Sequence, residues 1–282
     1  MPQTPSYFEY VRNLLLDRSG LVVTPEKIYL LESRLLPLAF QHGFKDIAGL
    51  ILSLQTQHNE SLTVAVVEAM HTHESLFFRD LAPFKLFQEV LLPQLLKRRH
   101  ADRKIRIWCA ACSTGQEPFS LAMILAEEAE RLKGLKIEIV ATDVSHSILS
   151  RASKGVFSQF EVQRGLPVAK LIKHFTQEGE KWRINSDILN MVQFRHVNLL
   201  DEHYNLGKFD VVFCRNVLIY FDLEIKAKVM AKISHAMVED GVLFLGSSES
   251  TIGITKDFWP VKAGRGVYKH TDSEASLAEE IA

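Results

Sequence analysis

The stretch IRIWCAACSTGQEPFS, residues 105–120, decides the fold of this 282-residue chain. Its first half alternates and carries bulky apolar side chains, the pattern of a buried strand. Its second half turns small and polar, and Pro118 stands where a helix can begin. A strand that passes through a short loop into a helix opens a doubly wound α/β sheet, whose ligands bind beyond the carboxyl ends of the strands. A dinucleotide site would carry G-x-G-x-x-G here, so that backbone can approach a pyrophosphate. This loop has one glycine, Gly115, followed by an acid, Glu117. A carboxylate repels a phosphate. The loop therefore suits a ligand without phosphates, and favours one that carries positive charge.

Downstream, strands and helices alternate. KIEIVATDV (136–144), FDVVFCRN (209–216) and GVLFLGS (241–247) read as strands, with helices at 118–134, 146–155 and 224–237. That alternation predicts a parallel sheet covered on both faces. GRGVYKH (264–270) reads as an antiparallel edge strand paired with the one before it. Residues 156–190 break the alternation, and EGEKWRINSDI (178–188) reads as short antiparallel strands inserted on the sheet. Upstream, residues 1–75 read as four helices. Gly20 suits a helix C-cap, Thr24 with Pro25 a helix start, Pro37 a kink, and the segments from Asp46 and Asn59 each open on a capping residue. RDLAPFKLFQEVLLPQLLKRRHADRK (79–104) reads as a long amphipathic helix and a basic linker. The expected organisation is a helical domain over 1–75, a linker helix over 76–100, a sheet domain over 101–270 with its insertion at 156–190, and an acidic, disordered tail over 271–282.

A net charge of −1 with 47% hydrophobic and 24% charged residues fits a soluble globular protein, and argues against nucleic acid as the main partner. Cys109, Cys112 and Cys214 form no disulfide framework. The first two have CxxC spacing, but no second pair completes a zinc site, so packing is the expected role. The N-terminus lacks the pattern of a secretory leader, and no apolar run is long enough to span a bilayer. A cytoplasmic location and no membrane insertion are expected.

The second strand ends in Asp143, 26 residues after Glu117. An acid there accepts hydrogen bonds from ribose hydroxyls, and also serves as a cap for the next helix. Glu117 fits a ligand's cation, and equally the dipole at a helix N-terminus. Together they point to S-adenosylmethionine, with its ribose, ammonium and sulfonium and no phosphate. Arg215 and Asn216 follow the fourth strand, with Tyr220 shortly after; these read as groups at the reacting centre, or as loop polarity and core. In FRHVNLL (194–200), Asn198 lies just past the third strand, where it caps a turn or meets an adenine edge. In MHTHESLFFRD (70–80), Arg79 is matched to a carboxylate such as the cofactor's methionine tail, or to a surface ion pair. His73 has no partner at metal-ligand spacing, and no metal is expected.

HESLFFRD, CSTGQEPFS, ATDVS, VNLL and FCRNVLIYFD occur in that order along nearly the whole chain. In this the sequence resembles the bacterial chemotaxis receptor methyltransferase family, CheR. The resemblance implies an S-adenosylmethionine-dependent methyltransferase sheet with a small N-terminal helical domain and a β-subdomain. It also implies methyl transfer to glutamate carboxylates of chemotaxis receptors. Carried to matching positions, it implies cofactor contacts at His73, Ser75, Arg79, Glu117, Asp143, Asn198, Leu199, Arg215 and Asn216. Many relatives have Asn and Thr at positions 73 and 75, and Glu at Gln116. Glutamate is already ionised at neutral pH, so the reaction needs desolvation and alignment rather than a general base. Tyr220 and Arg98 are the candidates at the reacting centre, Arg98 for attracting the incoming carboxylate. The alternatives are a nucleic-acid methyltransferase and a non-catalytic, cofactor-binding docking protein. Nothing suggests an oligomer, which leaves a monomer as the expectation.

Overall fold

The computed structural model describes residues 5–99, 103–262 and 264–270. The acidic tail expected over 271–282 lies outside the described residues. Contacts divide the chain into two compact units, Met1–Thr72 with Tyr220–Ile225, and His73–Ile219 with Lys226–Ala282.

The first unit is built on four helices, α1 (Phe8–Ser19), α2 (Ile28–Gln41), α3 (Ile47–Gln57) and α4 (Glu60–Met70). Phe8, Val11 and Leu15 share one face of α1 and are fully buried, with Leu31, Leu35, Leu50 and Val66 from the other helices. Gly20 takes φ +72° and closes α1 through its N–H to the Leu16 carbonyl. Asp46 and Asn59 cap α3 and α4 by accepting from the backbone N–H of Gly49 and Leu62. Thr24 makes no such cap: Pro25–Lys27 forms a 3₁₀ turn, and α2 starts only at Ile28. Tyr220 packs, partly buried, against this core, and its carbonyl accepts from the Val22 N–H.

The second unit opens with α5 (Ala82–Leu86), a π turn over Phe87–Leu91 and α6 (Leu92–Arg98). Pro93 cannot donate a helical hydrogen bond, and just before it the Leu92 N–H reaches back five residues to the Phe87 carbonyl. The wider turn keeps Phe84, Phe87, Leu91, Leu92 and Leu95 on the buried side. There follow β1 (Lys104–Ala110), α7 (Gln116–Glu127), β2 (Lys136–Asp143), α8 (His146–Ala152), β3 (Val156–Ser158), α9 (Gln159–Gln163), α10 (Val168–His174), β4 (Phe175–Glu178), β5 (Lys181–Ile184), α11 (Ser186–Leu189), β6 (Val192–His196), β7 (Phe209–Cys214), α12 (Leu223–His235), β8 (Met237–Leu245), β9 (Phe258–Pro260) and β10 (Val267–His270).

Seven strands form one sheet in the order β6-β2-β1-β7-β8-β10-β9. All pairs are parallel except those of β10, which runs antiparallel to both neighbours. The order reverses at β1, and that places the ligand crevice between the loops that follow β1 and β7. The strand at 267–270 does pair with β8, but it is not the edge. The edge is β9, three residues ending in Pro260, too short to show periodicity and suited to an edge because proline donates nothing to a ladder.

The stretch at 156–190 forms its own antiparallel sheet, β3-β5-β4. It also carries α9 and α10, which the sequence reading missed because helices of five and seven residues give too few turns to show a period. Gly165 in this segment takes φ +87°, and a Cβ there would stand 2.1 Å from the Phe77 carbonyl oxygen, so only glycine permits this approach.

At the amino ends of the strands, Glu138 on β2 accepts from Lys136 Nζ (2.8 Å), Arg106 Nε (2.9 Å) and lies 3.2 Å from Lys104 Nζ. Those cations hold its carboxyl down near pH 2. A depressed folded value means stability present above the unfolded value of about 4.3, and lost as pH falls toward 2. Glu138→Gln is therefore expected to lower the denaturant midpoint at pH 7, with the difference from the parent closing steadily below pH 4. A difference of the same size at every pH would assign the loss to packing instead.

Candidate active site

Three loops meet at the carboxyl ends of β1, β2 and β7. The loop after β1 is folded tightly, with Ala111, Ser113 and Gly115 at φ +55°, +51° and +93°. The Cys112 N–H donates to the Thr142 carbonyl at 2.8 Å, so the loop continues the ladder to β2. Asp143, 6% exposed, closes β2. Its Oδ2 accepts from the Ser113 N–H (2.9 Å) and its Oδ1 from the Ser145 N–H (3.1 Å). The helix cap that Asp143 was a candidate for belongs to Ser145, whose hydroxyl accepts from the Ile148 N–H. Asp143 instead braces the first loop, and each of its oxygens retains a free lone pair.

Gln116 and Glu117 begin α7 and point to different tasks. Gln116 is buried and accepts from the Thr114 hydroxyl at 2.7 Å, which locks the turn. Glu117 lies deep in the unit and accepts from Arg215 Nη1 at 3.1 Å. Burial pushes its carboxyl above the usual range, Arg215 and Arg79 oppose that, and Glu249 adds to it. The dipole of α7 alone does not describe this residue.

Arg215 follows β7 with a side chain 2% exposed. Besides Glu117, its Nη2 donates to Asp80 Oδ2 (2.6 Å) and to the Arg79 carbonyl (3.0 Å), while its buried Nε has no partner. Buried donors are nearly always satisfied, so this Nε is a donor that the chain's own groups leave without an acceptor. The segment HESLFFRD joins the same cluster. The His73 carbonyl accepts from the Ser113 hydroxyl (2.9 Å), and the Phe78 N–H donates to the Ser120 hydroxyl (3.0 Å). His73, Ser75 and Arg79 are half-buried.

Asn198 and Leu199 follow β6. The Asn198 side chain accepts from the Leu200 N–H at 3.0 Å and its own N–H donates to Asp201, which makes it the pivot of a turn. Leu199 is buried, and its carbonyl accepts from the Tyr204 hydroxyl. Asn216 takes φ +61° just after Arg215. Tyr220, four residues further, belongs to the helical unit.

Arg98 is not part of this cluster. It ends α6, before β1 starts, and pairs with Asp240 near the beginning of β8; Asp240 also takes Arg99, which bonds Asp210 at the start of β7. That network sits at the amino ends of the strands. The seven residues of β1, roughly 23 Å at the usual rise, separate it from Glu117. A role for Arg98 at the reacting centre is thereby withdrawn. The three cysteines are buried, with their thiols pushed well up by burial, and they pack. Among the described residues no group of three or more His, Cys, Asp or Glu could hold a metal ion.

Two residues of the site carry no role in the sequence analysis, Asp80, which pairs with Arg215, and Glu249. Glu249, in the small polar run GSSES after β8, accepts backbone hydrogen bonds from Asn216, Val217, Leu218 and Gly246. An acid within a run of Gly and Ser after a strand was the available signal.

The family model "CheR methyltransferase, SAM binding domain" matches residues 73–267, and "CheR methyltransferase, all-alpha domain" matches residues 6–70. The chain belongs to the CheR methyltransferase family. Among curated relatives, Chemotaxis protein methyltransferase 1 of Pseudomonas aeruginosa is 41% identical over 264 residues, covering 92% of this chain and 96% of that protein. Chemotaxis protein methyltransferase Cher2 of Pseudomonas putida is 38% identical with the same coverage. Chemotaxis protein methyltransferase of Vibrio parahaemolyticus is 38% identical over 254 residues, covering 89% and 91%.

The chain is thus an S-adenosylmethionine-dependent methyltransferase, and its site fits that cofactor. Two carboxylates, an unsatisfied guanidinium donor and a loop with no phosphate cradle match a ligand that carries ribose hydroxyls, a carboxylate and positive charge.

The raised pKa of Glu117 carries a sign. Its protonated form suits the fold, so the stability it contributes is present in acid and lost as pH rises through its folded value. At pH 7.5, Glu117→Gln is expected to melt at or above the temperature of the parent, yet to bind S-adenosylmethionine at least about tenfold more weakly in calorimetric titration. A melting point several degrees lower would mean that the pair with Arg215 outweighs burial.

Proposed function

We propose that this CheR methyltransferase transfers the methyl group of S-adenosylmethionine to glutamate side chains of bacterial chemotaxis receptors, forming methyl esters. The observation that carries this is the buried Arg215 guanidinium, paired with Glu117 and with the exposed Asp80 beside Asp143, set at the switch point of the sheet. The names of the curated relatives supply the substrate class. In this reading Asp143 accepts from the ribose hydroxyls, and Asn198 and Leu199 lie on the adenine side. Arg79 and the free Arg215 Nε serve the methionine carboxylate, Glu117 faces its cationic end, and His73, Ser75 and Asn216 complete the contacts. Tyr220 acts at the reacting centre. The incoming glutamate needs no base, since its unperturbed pKa of about 4.3 leaves it ionised. The protein's work is to remove water from it and align it with the methyl group. A cytoplasmic location and a boundary between helical and catalytic domains near residue 75 go with this proposal. No helix of the described residues is long and apolar enough to cross a membrane.

The test uses purified protein, tritiated S-adenosylmethionine and membranes rich in chemoreceptors. Label on the receptor that leaves as volatile methanol in mild base is the expected result. Base-stable label would assign a nitrogen acceptor and overturn the ester. Tyr220→Phe is expected to lower turnover by about tenfold or more with cofactor affinity unchanged; full turnover would remove Tyr220 from the reacting centre.

A further inference from the structure

Glu249 makes an unusual set of bonds for a surface-loop acid. It is 8% exposed. Its Oε2 accepts from the N–H of Asn216 (2.7 Å) and Gly246 (2.6 Å), and its Oε1 from the N–H of Val217 (3.0 Å) and Leu218 (2.7 Å). These N–H groups lie just where β7 and β8 stop pairing, after the register pair Cys214 and Leu245. Backbone donors at strand ends lose their ladder partners and need others. One carboxylate supplies four of them, through charge-assisted bonds.

The arrangement fixes more than a loop end. Asn216 sits at φ +61°, a left-handed conformation that asparagine tolerates better than most residues, and its N–H is held there by Glu249. Gly246 has no alternative: a Cβ there would stand 2.7 Å from both Glu249 Oε2 and Asn216 Nδ2. Arg215 is therefore restrained twice. Its guanidinium is caught by Glu117 and Asp80, and the peptide that follows it is caught by Glu249. Nothing in the site's chemistry requires Glu249 to touch a ligand.

We propose that Glu249 is a positioning residue for methyl transfer, its carboxylate holding the Arg215–Leu218 turn in the shape that cofactor binding requires. The proposal rests on the assignment of Arg215 and Asn216 to the cofactor, and does not depend on which acceptor is methylated.

Glu249→Gln keeps the size and replaces one acceptor oxygen with a donor that faces backbone N–H groups. It is expected to weaken S-adenosylmethionine binding by about tenfold or more, and to lower kcat. The KM for receptor, measured at saturating cofactor, is expected to stay within about twofold. Both are read well below the melting temperature of the variant. A variant that melts earlier but keeps its cofactor Kd and kcat would show a merely structural role and overturn the proposal. Gly246→Ala provides the second test, because it drives a methyl group into the same bonds while Glu249 remains. The same loss of cofactor affinity is expected, and parental affinity in a folded Gly246→Ala protein would overturn the proposal even if Glu249→Gln failed to fold. Should the parent bind cofactor but leave receptors unlabelled, the receptor assignment fails while the cofactor Kd values still decide the role of Glu249.

Discussion

A guanidinium buried between two carboxylates organises the catalytic unit. Arg215 leaves the end of β7 with almost no exposure and is held by Glu117 of α7 and by Asp80 of the segment before α5. Removing the charges of Arg215 and Glu117 from water is unfavourable unless they are satisfied, and the exposed Asp80 adds a second acceptor from the rim, so each of these elements is tied to the position of the others. The cluster is not fully compensated. Glu117 remains reluctant to ionise, and the Arg215 Nε has no acceptor. A site that is incomplete in this way gains most from a ligand that brings the missing acceptor and the missing positive charge together.

Strain gathers around the same point. Of the nine non-glycine residues with positive φ among the described residues, Phe78, Asp80, Leu81, Ala111, Ser113 and Asn216 lie in the loops that surround the cluster. For Phe78, Leu81, Ala111 and Ser113 such a conformation costs of the order of 1–3 kcal/mol and persists only where the surroundings enforce it, while Asp80 and Asn216 tolerate it better. Here the enforcement is visible in the bonds from Ser113 to Asp143 and His73, from Phe78 to Ser120, and from Asn216 to Glu249. The sheet core beneath them is fully buried, with Phe213 and Phe244 stacked at 4.4 Å between β7 and β8.

Much of this was legible in the residues. The apolar strands β1, β2, β7 and β8 announce themselves, because strands buried on both faces must be continuously hydrophobic. Glu117 could be picked out because it departs from what a phosphate-binding loop would carry, and Asp143 because an acid closing the second strand is placed to meet a ribose. What escaped had physical reasons. The strand β9 and the helices α9 and α10 are too short for a period to appear. Arg98 sits in a basic run that looks like an anion site until the fold sends it to the other end of β1. Three of the four backbone groups that Glu249 binds belong to residues more than thirty positions away, and the run of Gly and Ser around it does not announce that partnership.

The return of Tyr220–Ile225 to the helical unit bears on how the molecule is made. Gly20 lies so close to Phe221 and Ile225 that an added Cβ would stand 3.2 Å from each. The core of the first seventy residues is thus completed by a segment synthesised after β1, β2, β6 and β7. On the ribosome, where folding generally proceeds from the N-terminus, the helices must wait with part of their apolar surface uncovered. Long-range closure of this kind slows folding, and couples it to the arrival of the sheet. A gene fragment cut after α4 would encode the helices without the piece that finishes their interior.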